Sequence, residues 1–257
     1  MSPAIVSAAS APPLPVTDVR VRALVERQLP RLAQLTASMR QRVLAAGGSE
    51  VEAALRAHLD VVNALRFELL VSPGLRAGPR DSDEAAFRRQ VAAVADCTES
   101  SWLAIRRYME QGAVNPGEGE LLASEFTMEF RALHRRVADA GAPPGSPWDG
   151  LQQLCETARP AQAAAYGWAE SQGALRGTFR QLAVRLGGGL LERLKVLVAG
   201  DVSAPADEMR HAQQARGELQ GALSGALTDL TRAQGAGEDL LVWLEALTHR
   251  MAMLRRF

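Results

Sequence analysis

Apolar residues recur every three or four positions along most of this chain, which is the period of an α-helix with one buried face. The most regular stretch is at the C-terminal end, where Leu240, Leu244, Leu247, Met251 and Leu254 step by four, three, four and three, flanked by Trp243. Aromatic residues make up only 5% of the chain, while alanine and leucine dominate, which favours helices over sheets. The sequence therefore predicts an all-α fold.

Caps and breakers divide this pattern into about seven or eight predicted helices. The first ends at Gly47-Gly48, and Pro30 inside it predicts a kink or two shorter helices, because proline removes a backbone N–H. Further ends are predicted before Pro160 and before Gly235-Ala236-Gly237. Most of these helices would have roughly 20 to 30 residues. Helices of this length joined by short connections favour an elongated antiparallel bundle.

The strongest breaker is GAPPGSP at residues 141–147, which predicts a linker between two subdomains. An N-terminal helical bundle is expected over 17–140, and a C-terminal helical region packed on it over 148–257. Residues 1–16 are rich in Ala, Ser and Pro and predict a disordered tail. They lack the basic start and continuous apolar stretch of a secretory signal, although a specialised secretion signal stays open.

Three glycines recur every fourth residue inside a stretch that otherwise has the pattern of a helix. This spacing places Gly217, Gly221 and Gly225 on one stripe, and each costs about 1 kcal/mol relative to alanine. The usual compensation is the close approach of another helix, either within the chain or from a partner. The predicted partner-binding residues are Gly217, Gly221, Gly225, Leu240, Trp243, Leu244 and Leu247, and the same residues are equally compatible with an intramolecular core.

Charge and cysteine usage narrow the function classes. Acidic and basic residues balance to a net charge of zero, which argues against a dedicated nucleic-acid binder. Lys195 is the only lysine, and this bias towards arginine indicates a GC-rich bacterial genome. Cys97 and Cys155 form no CxxC pair and are expected to be buried thiols in a reducing compartment, so a cytoplasmic location is predicted.

A metal-dependent helical-bundle enzyme is one alternative. Carboxylate-bridged di-iron bundles use two E-x-x-H pairs and two further glutamates, whereas this chain has one pair, Glu208 and His211. The other residues considered as ligands are Glu245, His249, Glu68 and His58. Because this pattern is incomplete, the sequence predicts no metal, no cofactor and no catalytic residue, and the chain is not expected to be an enzyme.

A peripheral membrane-binding protein is the other alternative. The best amphipathic candidate runs from Gln181 to Ala199, but its few cations, Arg185, Arg193 and Lys195, favour burial in a bundle over a membrane surface. The prediction that remains is a non-enzymatic interaction or assembly protein. It would bind a protein partner, or itself, through its helix faces.

Overall fold

A computed structural model of the chain describes residues 19–71, 80–111, 116–188 and 206–255. Every regular element in these ranges is an α-helix and none is a strand, which confirms the all-α class. The elements are α1 (Val19–Ala45), α2 (Ser49–Ala64), α3 (Glu68–Val71), α4 (Arg80–Glu110), α5 (Pro116–Ala140), α6 (Pro147–Leu186) and α7 (Ala206–Leu254). These ranges thus hold six long helices and one helix of four residues, fewer long helices than the seven or eight predicted.

The difference arises because helices run through predicted breaks. The 40-residue α6 continues through Pro160, the 49-residue α7 continues through Gly235 and Gly237, and α1 continues through Pro30. The prediction of helix ends at Pro160 and at Gly235-Ala236-Gly237 is wrong. Buried residues lie on both sides of each breaker, and packing of an apolar face outweighs the local cost of about 1 kcal/mol for glycine or about 3 for proline.

Two hydrophobic cores lie along the molecule, and α6 and α7 contribute to both. The first core joins α1 and α5 to the first part of α6, around Trp168, and to the last part of α7, around Leu244. The second core joins α2, α3 and α4 to the last part of α6, around Phe179, and to the first part of α7, around Leu223. The long helices α6 and α7 are therefore antiparallel neighbours that pass through both cores.

The Pro/Gly-rich breaker at residues 141–147 lies mainly in the connection between α5 and α6. Gly141 and Gly145 both have positive φ, 63° and 77°, which side chains other than glycine rarely adopt. Each core nevertheless combines helices from both sides of this connection. The linker thus separates two helices, while the cores are shared between the N-terminal and C-terminal regions. Residues 1–16 lie outside the described residues.

Close helix packing at a glycine occurs at Gly237. A Cβ atom added there would lie 3.1 Å from Cγ1 of Val43 and 3.5 Å from Cδ1 of Trp168, so α1 and the indole both approach the α7 backbone. The close contact that the sequence predicts for a helical glycine thus exists in α7. The sequence predicts a helix end at this residue instead.

Candidate functional site

The glycine stripe of α7 faces away from both cores. Gly217, Gly221 and Gly225 are exposed, and a Cβ atom added at any of them would meet nothing within 4 Å. None of the described residues therefore packs against this stripe. The expected close approach of another helix is not made within the described part of the chain.

The leucine seam at the C-terminal end has the opposite environment. Leu240, Leu244 and Leu247 are each 0% exposed and belong to the first core, where α7 packs against α1 and α6. They are intramolecular core residues, which is one of the two environments that the sequence left open for them. Trp243, which flanks the seam, is 38% exposed and stays available for contact. The apolar period identifies a buried face but not the helix that buries it.

Residues further along α7 lie on the same side of the helix as the glycine stripe. Eighteen residues make about five turns at 3.6 residues per turn, so Gly217, Gly235 and Met253 share one direction. Val242 lies within about 20° of it by the same geometry and is 66% exposed, and Met253 is 46% exposed. We call this surface the outward face of α7; its residues are Gly217, Gly221, Gly225, Thr228, Gly235, Val242 and Met253.

The outward face has a small-residue end and a large-residue end. Its N-terminal part carries the three glycines, and its C-terminal part carries Val242 and Met253, with Trp243 at the edge. From Gly217 to Met253 the helix rises about 54 Å at 1.5 Å per residue. Val242, Met253 and Gly235 are not among the predicted partner-binding residues. The 18-residue spacing from Gly217 identifies Gly235 and Met253, and the position of Val242, 25 residues after Gly217, identifies Val242.

Those candidate metal ligands whose side chains are described do not form a cluster. His58 lies in the second core region, whereas Glu245 and His249 are exposed on the part of α7 that borders the first core. His211 is exposed, and the side chain of Glu208 lies outside the described part of the chain. Among the side chains that are described, no group of three or more His, Cys, Asp or Glu residues is arranged to hold a metal ion.

His58 is enclosed between α2 and α4 and is 0% exposed. Thr98 donates its hydroxyl hydrogen to the carbonyl of Val94 at 2.7 Å, so His58 Nε2, 3.1 Å from Thr98 Oγ1, carries the hydrogen that joins the two side chains. Nδ1 finds no hydrogen-bond partner among the residues that the structure describes. Burial lowers the pKa of His58 to about 4, so the ring is neutral at pH 7. An enclosed, neutral histidine of this kind has a packing role.

The two cysteines are free thiols, Cys97 half-buried and Cys155 buried in the first core. Burial raises the pKa of the Cys155 thiol to about 11, which keeps it protonated at pH 7. Because the thiolate is the nucleophilic form, burial and protonation make this thiol a poor nucleophile at pH 7.

Only residues 181–188 of the amphipathic stretch from Gln181 to Ala199 are described, and the remainder lies outside the described residues. Leu182 is buried in the second core, while Val184 is 77% exposed. Among the described helices, none combines the length and the apolar composition that crossing a membrane requires.

Replacing Gly217, Gly221 and Gly225 together with alanine is expected to raise the free energy of unfolding by about 1–3 kcal/mol. Each alanine adds helix propensity, and no added Cβ meets a neighbour. Urea denaturation followed by circular dichroism measures the change. Gly237→Ala is the matched control on the same helix. There the new Cβ lies 3.1 Å from Val43, so no comparable gain is expected. A triple variant less stable than the wild type would contradict an open stripe.

Comparison of this chain with protein-family models, with curated proteins and with solved structures gave no match.

Proposed function

We propose that this protein is a non-enzymatic interaction or assembly protein built as an elongated antiparallel helical bundle. It binds a protein partner, or itself, through the outward face of α7. The observation that carries the proposal is the open glycine stripe. Three glycines lie inside a 49-residue helix where no described residue packs on them. Each costs about 1 kcal/mol relative to alanine, and a helix seated on the stripe would supply the missing contacts.

The exposed side chains further along the outward face support this proposal. Val242, Trp243 and Met253 are 66%, 38% and 46% exposed on one helix. Tryptophan and methionine are enriched at protein–protein interfaces, where flat or flexible apolar side chains fill a partner's surface. The outward face thus offers a shallow groove at its glycine end, and at its other end it offers apolar side chains that can enter a groove of a partner.

The proposal includes a reducing, bacterial cytoplasm as the compartment. Both cysteines are free, which fits a compartment where thiols stay reduced. The strong preference for arginine over lysine supports a GC-rich bacterial source.

Gly221→Leu is expected to abolish assembly or partner binding while leaving the chain folded. The leucine side chain fills the groove where a second helix would lie, and within the chain it meets no neighbour. Size-exclusion chromatography with multi-angle light scattering measures assembly, and affinity capture from source cells with the tagged chain measures partner binding. Circular dichroism confirms that the helices are retained.

Gly177→Leu on α6 is the matched control, since Gly177 is also exposed and a Cβ added there also meets nothing within 4 Å. The proposal requires that Gly221→Leu loses the assembly or the captured protein and that Gly177→Leu retains it. If the two variants behave alike in both measurements, the outward face of α7 is not a binding surface and the proposal fails.

A further inference from the structure

We infer that the occupant of the outward face of α7 is a second copy of this chain, docked antiparallel about a two-fold axis that passes close to Gly235. This inference rests on the proposed function and names its partner. Two different properties of the outward face, side-chain size and charge, select the same register.

Side-chain size is the first property. A two-fold axis at Gly235 relates each position of one copy to the position equally far beyond Gly235 in the other. Met253 of one copy then lies opposite Gly217 of the other, and Val242 lies opposite Thr228. The exposed large side chains of each copy therefore meet the small-residue end of its neighbour. Such a self-complementary contact closes as a dimer.

A parallel pairing of the same faces would be poorly matched. It would place Met253 against Met253 and Val242 against Val242, and it would leave the glycine ends facing each other. Large side chains would then face each other at one end of the face, and no large side chain would fill the space beside the glycines at the other. Along the full length of the face, the size pattern thus favours the antiparallel orientation.

Charge is the second property. The outward face has two flanks, one on each side of the line from Gly217 to Met253. In antiparallel helix pairs, residues on one flank of the first helix meet residues on the same flank of the second. Arg232 and Asp239 are exposed on one flank of the outward face, three residues before Gly235 and four after it. Within its own helix Arg232 pairs with Asp229, Nη1 to Oδ1 at 3.2 Å, and this exposed pair leaves the guanidinium free to contact a second carboxylate. The two-fold axis therefore brings Arg232 of each copy close to Asp239 of the other, which gives two opposite-charge contacts. In a parallel pairing each flank meets the opposite flank of the other helix, so these contacts between Arg232 and Asp239 would not form.

A second charge match follows from the same axis. Glu218 and Arg250 are exposed on that same flank, 17 residues before Gly235 and 15 after it by their numbering. Within the chain, Glu218 accepts a hydrogen bond from Gln214, and Arg250 donates one to Gln153, so neither is engaged by an opposite charge in the described ion pairs. Side-chain size and both charge matches therefore place the two-fold axis close to Gly235.

Disulfide trapping tests this register. Three single variants, Gly217→Cys, Gly235→Cys and Met253→Cys, are made in a Cys97→Ser background, since Cys155 is buried and cannot bridge copies. After mild oxidation, Gly235→Cys is expected to form a covalent dimer, because its two copies meet at the axis. When Gly217→Cys and Met253→Cys chains carrying different tags are mixed, only the mixed 217–253 disulfide is expected on a non-reducing gel.

Gly177→Cys on α6 is the trapping control and is expected to stay monomeric on the gel. Homodimers of Gly217→Cys and of Met253→Cys in place of the mixed dimer would show a parallel pair and overturn the inference. A chain that is monomeric by light scattering and gives no disulfide at any of the three positions would overturn it as well. The proposed function fails separately, when Gly221→Leu leaves both assembly and partner capture unchanged.

A charge exchange gives an independent readout of the same contacts. Arg232→Asp alone and Asp239→Arg alone are each expected to raise the dimer dissociation constant about tenfold, since each opposes like charges at two symmetric places. The double variant exchanges the two charges and is expected to restore the wild-type dissociation constant, measured by sedimentation equilibrium. A double variant as weak as the sum of the single ones would overturn the register.

Discussion

Replacing Trp168 with alanine is expected to lower the free energy of unfolding by about 3–5 kcal/mol. The indole is 1% exposed and lies in the first core, where it extends from α6 towards α5 and α7. Glycines on both neighbouring helices make room for it: a Cβ atom added at Gly119 or at Gly237 would lie within 3.6 Å of its ring. Alanine would leave a cavity that such close backbones cannot fill. Guanidinium denaturation followed by circular dichroism measures the loss.

Trp102→Ala is the matched control for this prediction. Trp102 is 38% exposed on α4, and the guanidinium of Arg106 lies over its ring, 5.6 Å from the ring centroid. Its removal is expected to cost clearly less than that of Trp168, because a side chain at the surface leaves no enclosed cavity and an exposed cation–π pair contributes only about 0.5–1 kcal/mol. Equal losses from the two tryptophans would mean that Trp168 does not hold the first core together.

Acidification from pH 7 to pH 4 is expected to remove about 3 kcal/mol of stability through His58 alone. The pKa of His58 is about 4 in the folded protein, against an ordinary value of 6.5. Between these values the unfolded chain binds a proton that the folded chain does not. Stability is therefore constant above about pH 6.5 and falls as the pH drops towards 4. Urea denaturation at several pH values measures this slope.

His58→Leu isolates this contribution. Thr98 keeps its hydrogen bond to the Val94 carbonyl in this variant, so no donor is stranded. Carboxylates contribute to acid sensitivity in both proteins. Hydrogen bonds from Arg56 and Gln234, for example, lower the pKa of Glu52. The difference between wild type and His58→Leu is therefore the quantity to follow. If the two proteins lose stability in parallel from pH 6.5 to 4, His58 is not buried as the structure shows.

The fold class follows from the sequence because helix periodicity is a local property. The 3- and 4-residue steps indicated helices throughout, and the glycines at 47 and 48 correctly ended the first one, with Gly48 at φ 113°. Helix continuity through Pro160 and Gly237 could not be predicted in the same way. A breaker acts on its own turn, whereas the buried residues on either side that hold the helix together come from distant segments.

The candidate site was predictable in part for a related reason. Four-residue spacing placed Gly217, Gly221 and Gly225 on one stripe, and the structure has them on one exposed surface. Whether a stripe or a seam is covered depends on which helices pack there, and a single helix does not encode that. For this reason Leu240, Leu244 and Leu247 belong to the core, while the unassigned Val242 and Met253 are exposed.

The passage of α6 and α7 through both cores makes the two ends of the molecule one thermodynamic unit. Neither core retains its full set of side chains unless both long helices are formed across it. A ligand that binds only the folded state adds its binding free energy to the stability of that state. A partner seated on α7 at either end therefore protects the distant core as well, although it touches none of its side chains.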